Sequence, residues 1–292
     1  MNYKIEQSTL FNLFDIEYTA DGSPTLRLKK PLNEKITQSD KTLDRAPEFV
    51  KKPESMHHSG GAATETSYIY TSPFKKMYEL IRDKKVSFDE HVNLGVVGLG
   101  LAYIELSVLP YLIGQQHLPE ALNYKVLSFE KEDELILNFK KWIASENNAP
   151  LYEEVYTALK KIGGFDIAKI EIFKTLMGKN SAIEWDIKGE LSLETLHKSI
   201  SLENRFNFVA FDAFSQSTDI PLWKEEFLEG FFKMACAEDC VFTTYACTGL
   251  LKRKLTENNF VVIKRKGFSG KRDATLALRG QFKAHQNLFE NG

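Results

Sequence analysis

The sequence predicts an α/β fold: a seven-stranded, mostly parallel sheet covered by helices on both faces. Three observations predict it. Short apolar runs alternate with helix-compatible stretches from residue 93 onward, the pattern of βα units whose strands are buried on both sides. One run, NLGVVGLGLAYIE at 93–105, passes through Gly98-Leu99-Gly100 directly into helix-compatible sequence. That is the shape of a buried strand, a tight glycine turn and a helix whose N–H groups face the turn. The last two strand candidates, 260–264 and 274–278, are joined only by RKGFSGKRD. No helix fits between them, so they are expected to pair antiparallel.

Taken in order, residues 14–30 read as a β-hairpin. Phe14 to Tyr18 alternate, Asp21-Gly22 signals a turn, and Thr25 to Leu28 alternate again. Residues 31–56 are polar and charged, as expected of a mobile surface connection. The stretch from Met56 to Ser67 is dense in small polar residues with two histidines and a glutamate, and is carried as a ligand-facing loop leading into the next element. Strands are expected at 93–97, 124–129, 181–187, 206–211, 241–245, 260–264 and 274–278, and helices at 101–113, 132–144, 192–200, 222–235 and 248–257. Between the second and third strands, Leu151, Val155, Leu159 and Ile162 keep helical spacing, as do Ile167, Ile170 and Leu176. This predicts a helical insertion over 145–180. The chain divides into an N-terminal hairpin and substrate-side extension, 1–85, and an α/β domain, 86–292.

Composition excludes several classes. With 292 residues, 43% hydrophobic and 27% charged, the chain suits a soluble globular protein with a sizeable core. No run of 18 apolar residues indicates a membrane span, and MNYKIEQSTL lacks a secretion signal's apolar core; a cytoplasmic location is expected. Cys236, Cys240 and Cys247 form an odd set with no Cys-x-x-Cys pair, which argues for buried thiols over a zinc site or disulfides. A net charge of −2 excludes bulk electrostatic nucleic-acid binding, although basic residues gather near the C-terminus.

The candidate functional residues sit at strand ends. Gly98 and Gly100 allow a backbone to approach a nucleotide-like ligand without a Cβ in the way, although such corners also occur without ligands. Glu130 follows the second strand, where a carboxylate can accept hydrogen bonds from a ribose diol; a solvated acid before Lys131 is the plainer alternative. Glu190 is a weaker candidate for an adenine amino group, with Asp186 nearby. The strand FVAF delivers Asp212 at its carboxyl end, where ligands of open α/β sheets bind, and Phe214 and Trp223 are expected to supply aromatic surface at the same rim.

At this point the chain resembles a known family. Asp212-Ala213-Phe214-Ser215, then Leu222-Trp223 and Glu226-Phe227, look like the MnmC-like methyltransferases, which build the methylaminomethyl group on a tRNA wobble uridine. The stretch from Thr19 to Arg27, with Asp21-Gly22-Ser23-Pro24, is similar to the family's N-terminal signature. His57, Gly61, Ala62 and Glu65 resemble its His-Ser-x-x-Gly-Ala-x-x-Glu segment, with Ser59 displaced by one position. Thr244 to Leu255 and Gly267-Phe268-Ser269-Gly270-Lys271-Arg272 look like its closing motifs. The resemblance covers nearly the whole chain except 31–55 and 145–180.

The resemblance implies a Rossmann-like class I methyltransferase, with the terminal antiparallel pair separating it from ordinary dehydrogenases. It implies S-adenosyl-L-methionine as cofactor and a tRNA substrate, with transfer of a methyl group to a primary amine. Asp212 would orient or deprotonate that amine. Gly98, Gly100, Glu130, Glu190 and Asp212 would line the cofactor, and His57, Glu65 and Phe214 would shape the substrate pocket. Lys266, Lys271 and Arg272, among basic clusters at 252–254, 264–266 and 271–272, would meet RNA phosphate with Phe268 available for stacking. The family's fused flavin oxidase domain has no room in this chain, so neither FAD nor a metal is expected, and a separate flavin-dependent enzyme is a candidate partner. Two departures stand out. Leu94 and Val96 occupy the places expected for the acid and first glycine of Glu-x-Gly-x-Gly-x-Gly, and Gln216 follows Ser215 where proline is usual. They keep two rivals open: a methyltransferase of this fold with another substrate, and a cofactor-less RNA-binding or scaffold protein.

Overall fold

A computed structural model describes residues 5–6, 11–29, 54–88, 91–115, 122–144, 150–164, 168–169, 171–172, 183–270 and 273–290. The expected surface connection lies outside these residues except for its last three, as does the insertion beyond 172.

All seven expected strands form one sheet. In chain order they are β4 His91–Val97, β5 Asn123–Phe129, β6 Ile183–Lys188, β7 Phe206–Phe211, β8 Cys236–Thr244, β9 Val261–Lys266 and β10 Asp273–Arg279. Their order across the sheet is β6-β5-β4-β7-β8-β10-β9. Strands β4 to β8 pair in parallel, and β10 runs against both β8 and β9. The first parallel strand, β4, thus lies between β5 and β7, and the chain direction of sheet growth reverses there. Ligands bind above such a switch point, at the strands' carboxyl ends. Alternation explains how both faces fill. Leu94, Val96, Phe208 and Ala210 enter one core with Phe74, Met77, Ile104 and Val108, while Val97, Val209 and Phe211 enter the other with Leu196, Phe231 and Leu251.

Strand β8 begins five residues before the predicted start at 241. Glu238 and Asp239 disguise it, yet Asp239 accepts the Gln281 N–H at 2.6 Å and Cys236 and Cys240 are buried. The cysteines are free. The helices at 193–199 and 249–257 start where hydroxyl caps stand: Ser192 Oγ accepts the Thr195 N–H and Thr248 Oγ1 the Leu251 N–H.

The N-terminal hairpin is β2 Phe14–Tyr18 and β3 Pro24–Leu28, joined by a short β1 at Ile5–Glu6. It is welded to the domain by a third apolar cluster. Phe11, Phe14 and Leu26 pack with Leu99 and Tyr103, and with Leu151, Val155 and Leu159 from the predicted insertion. That insertion forms helix α5, Pro150–Gly163, following α4, Asp133–Ile143. Trp142 of α4 stacks on Tyr152 of α5 at 5.7 Å. The insertion therefore carries the hairpin against the sheet.

Residues 62–82 hold a helix absent from the sequence-based expectations: α1 Ala62–Thr66, a π-helical turn Ser67–Thr71 and α2 Ser72–Arg82. Asp21, from the hairpin turn, anchors its start. One carboxylate oxygen accepts the Thr64 N–H at 3.0 Å, and the other accepts the Ser23 N–H at 3.0 Å. Ser23 Oγ accepts the N–H groups of Ala62 and Ala63 at 3.1 Å each. The N-terminal signature is thus a helix cap supplied from another element. No helix among the described residues is long and apolar enough to cross a membrane.

Candidate active site

Above the carboxyl ends of β4, β5 and β7 lies a cleft of about 1070 Å³, counting its open mouth. Its floor is the turn after β4. Gly98, Gly100 and Ala102 all have left-handed backbones, with φ of 89°, 51° and 59°, before helix α3, Tyr103–Gln115, begins. This corrects the register of the glycine motif. Its alternate left-handed positions are 98, 100 and 102, so the third glycine is replaced by Ala102 and the acid position falls on Val96. Leu94 and Val96 are 1% exposed, inside the sheet, and neither lines the cleft.

Glu130 is 8% exposed at the end of β5. Its two oxygens accept the N–H groups of Gly100 and Glu132, each at 3.0 Å. Burial raises its pKa, opposed by those hydrogen bonds. The carboxylate therefore braces the glycine turn while facing the cleft. Glu190 is exposed at the rim. Asp186 pairs with Lys188 and is not among the cleft residues.

Asp212 follows β7, its N–H bonded to the Val97 carbonyl at 2.8 Å. The Tyr70 hydroxyl donates to Asp212 Oδ1 at 2.5 Å. Tyr245 lines the cleft beside them and donates to the Ala213 carbonyl at 2.9 Å. Phe214 lines the rim, with the Lys131 ammonium 6.0 Å from its ring centre. Trp223 does not: it is 3% exposed, and its indole N–H donates to the Phe214 carbonyl at 2.7 Å. It anchors the loop from beneath, a core role that its position in sequence does not distinguish from a rim role.

His57 and Glu65 also line the cleft. His57 Nδ1 lies 3.0 Å from Thr25 Oγ1, and its ring meets Tyr103 edge-on at 4.8 Å. Glu65, 4% exposed, accepts the His58 N–H at 2.6 Å. The strap at 54–56 crosses the mouth. Glu54 accepts the Ser215 N–H at 2.9 Å and is held by Thr218, while the Met56 N–H reaches the Leu26 carbonyl at 2.8 Å. Sequence reasoning misses Tyr70, Tyr245, Glu54 and Met56. Met56 and Tyr245 carry signals, Met56 as the start of the loop carried as ligand-facing and Tyr245 within the closing motif that begins at Thr244.

The basic clusters are redistributed. Lys254 is 5% exposed and bonded to Glu225, Glu229 and Glu257 at 2.8, 3.2 and 2.7 Å, and Arg253 pairs with Glu225. Arg265 is buried, donating to the Tyr68 and Ile69 carbonyls. Lys254 and Arg265 are therefore structural, whereas Arg253 stays exposed while pairing with Glu225. Lys266 is exposed at the end of β9, outside the cleft. Lys271 and Arg272 lie outside the described residues.

Among the described residues the cleft carries six carboxylates, Glu54, Glu65, Glu130, Glu190, Asp212 and Asp219, against one lysine, Lys131. Such a field suits cationic ligands and opposes a pyrophosphate. The residues fit S-adenosyl-L-methionine on this ground and on the left-handed turn at Gly98 and Gly100, which lines the cleft.

Fold and cleft together define a Rossmann-like class I methyltransferase. Residues 165–280 match the model of an S-adenosyl-L-methionine-dependent methyltransferase family. Within it, the chain is similar to MnmC. It is 33% identical over 76 residues to the tRNA 5-methylaminomethyl-2-thiouridine biosynthesis bifunctional protein MnmC of Vibrio campbellii, a match covering 26% of this chain and 11% of that protein. The solved structure of MNMC2 from Aquifex aeolicus shares the fold, with a TM-score of 0.57 and 20% identity, covering 91% of this chain and 70% of that one. The family match begins after the glycine turn, the part of the sequence that departs from the motif.

Proposed function

We propose that the protein N-methylates the aminomethyl group of a tRNA wobble uridine. The observation that carries this reading is Asp212, delivered by β7 to the cleft directly beside the glycine turn and hydrogen-bonded there by Tyr70. When bound, the cofactor supplies an electrophilic methyl group. The chain's part is to hold the amine in line and uncharged. Asp212 would aim the nitrogen lone pair at the methyl group that the cofactor supplies and would take the N–H proton the nitrogen loses, directly or through water. Positioning of this kind lowers barriers by roughly 7–11 kcal/mol. Glu130 would hold the ribose, Glu190 the adenine end, and Gly98 and Gly100 the backbone approach. His57, Glu65 and Phe214 would enclose the uridine. The acidic cleft attracts a sulfonium and an arriving alkylammonium over a phosphate-rich ligand, and Asp212 would take the proton that the ammonium must lose before it attacks. The similarity to MnmC supports the tRNA substrate, with Lys266, Lys271 and Arg272 meeting phosphate.

The test is methyl transfer to tRNA isolated from cells that stop at the aminomethyl stage, read by mass spectrometry of the released nucleosides. A methylated aminomethyl uridine, lost in Asp212→Asn, is the expected result. A second reading, an amine substrate other than RNA, is favoured by the burial of Lys254 and Arg265, which removes two cations from the basic clusters. Methylation of a small amine with no response to tRNA would select it.

A further inference from the structure

We propose that Tyr70 is a positioning residue of the methyl-transfer site, holding one oxygen of Asp212 so that the carboxylate keeps one rotation and its ionised form. The proposal rests on the role assigned to Asp212 above.

The geometry begins with Pro73. It sits in a continuous helical run, lacks an N–H, and would leave the carbonyl of Ile69, four residues back, without its helical donor. The helix answers with a π-turn over Ser67–Thr71, in which the Ser72 N–H reaches back five residues to the Ser67 carbonyl. The released carbonyls are taken up by the sheet. Thr243 Oγ1 donates to the Ile69 carbonyl at 2.6 Å, and Arg265 Nη2 donates to the Tyr68 carbonyl at 2.5 Å. The Arg265 guanidinium also lies 4.1 Å from the Tyr68 ring centre. Single π-turns recur at functional sites, and this one is pinned on both neighbouring carbonyls. Its product is Tyr70, 1% exposed, with its hydroxyl 2.5 Å from Asp212 Oδ1.

Burial, and then the Asp212 charge, push the Tyr70 phenol well above its ordinary pKa. Tyr70 therefore stays protonated and is the donor of the pair. A donor to the charged form favours the carboxylate. Tyr245 and Glu65 also act on Tyr70, and Glu54, Glu65 and Asp219 act on Tyr245. All four are acidic groups that raise rather than lower their neighbours' pKa values. Tyr70 donates to Asp212 directly, against the acidic character of these neighbours.

The experiment compares the parent with Tyr70→Phe, which keeps the ring and its packing. Two quantities are read: kcat for methyl transfer across pH, and the Asp212 titration followed by carbon-13 NMR of aspartate-labelled protein. The expected result is an Asp212 pKa raised by about one to two units. With it, kcat falls about tenfold to a hundredfold, its acid limb moves to higher pH, and affinity for S-adenosyl-L-methionine is unchanged. Pro73→Ala, which removes no polar side chain, is expected to move both quantities the same way. An unmoved Asp212 titration in Tyr70→Phe overturns the proposal, whether or not kcat falls, because a fall alone is what lost packing would give. A parent that transfers no methyl to aminomethyl tRNA defeats the assigned function instead, while the NMR titration still decides the role of Tyr70.

Discussion

Gly98 and Asp212 close the seam between β4 and β7: a Cβ at residue 98 would lie 2.7 Å from the Asp212 carbonyl oxygen. The glycine also has φ of 89°, in the region that side-chain-bearing residues avoid. Gly98→Ala must therefore strain the turn and push the Asp212 backbone at once. We expect a loss of on the order of 2–4 kcal/mol in stability and weaker cofactor binding, checked by thermal melts and calorimetry. Parent-like values for both would mean that the seam is looser than its geometry.

Glu105, 3% exposed on α3, accepts a hydrogen bond from Ser128 at 2.6 Å, and its other oxygen is buried with no partner. Burial raises its pKa to about 8. The folded chain keeps the proton that the unfolded chain releases near its ordinary pKa of 4.5. Stability contributed by this group is therefore full at low pH and declines as pH rises from the unfolded value through the folded one. Glu105→Gln should be more stable than the parent by a few kcal/mol at pH 8–9, with the advantage vanishing near pH 4. A pH-independent difference in urea midpoints would contradict this.

Asp21 works in the opposite direction. Burial tends to raise its pKa, but hydrogen bonds from Ser23, Thr19 and Thr64 outweigh it and hold the carboxyl below its ordinary range. Its contribution is present above the unfolded pKa and disappears as pH falls through the lower folded value. Asp21→Ala removes the cap of the 62–82 helix and should cost about 1–2 kcal/mol at pH 7, with part of the parent's acid-induced destabilisation gone. Melts across pH 2–7 check both.

These contacts mark what is legible in the sequence. The strands are, because apolar runs separated by helical spacing leave few alternatives, and the antiparallel pair follows from a connection too short for a helix. Asp212, Glu130 and Gly98 are legible because strand ends are where such folds bind ligands. The 62–82 helix is not, because Pro73 and the small polar run before it read as loop; the cap that starts it comes from Asp21, in a different element. The basic character of 252–254 misleads because two of the three carboxylates that neutralise Lys254, those of Glu225 and Glu229, lie on a different helix. Trp223 reads as a rim residue because sequence does not say which side of a loop a ring occupies.

The reassigned cations make a direct contrast. Lys266 and Lys264 are exposed on β9, whereas Arg253 is committed to Glu225 at 3.0 Å. Lys264→Glu with Lys266→Glu should weaken tRNA binding and flatten its salt dependence, by about one unit of slope for each phosphate no longer neutralised. Arg253→Glu should leave both unchanged. The reverse pattern would move the RNA surface to the helix at 249–257.

Everything proposed for catalysis depends on the cleft at Gly98, Glu130 and Asp212 holding the methyl donor. Calorimetric titration of the parent and Glu130→Ala with S-adenosyl-L-methionine, then S-adenosylhomocysteine, decides whether it does. We expect micromolar binding of both by the parent and a loss of at least tenfold in the variant, about 1.4 kcal/mol, with the variant still melting cooperatively. Equal affinities in parent and variant, or no binding by a folded parent with tRNA present, would contradict it.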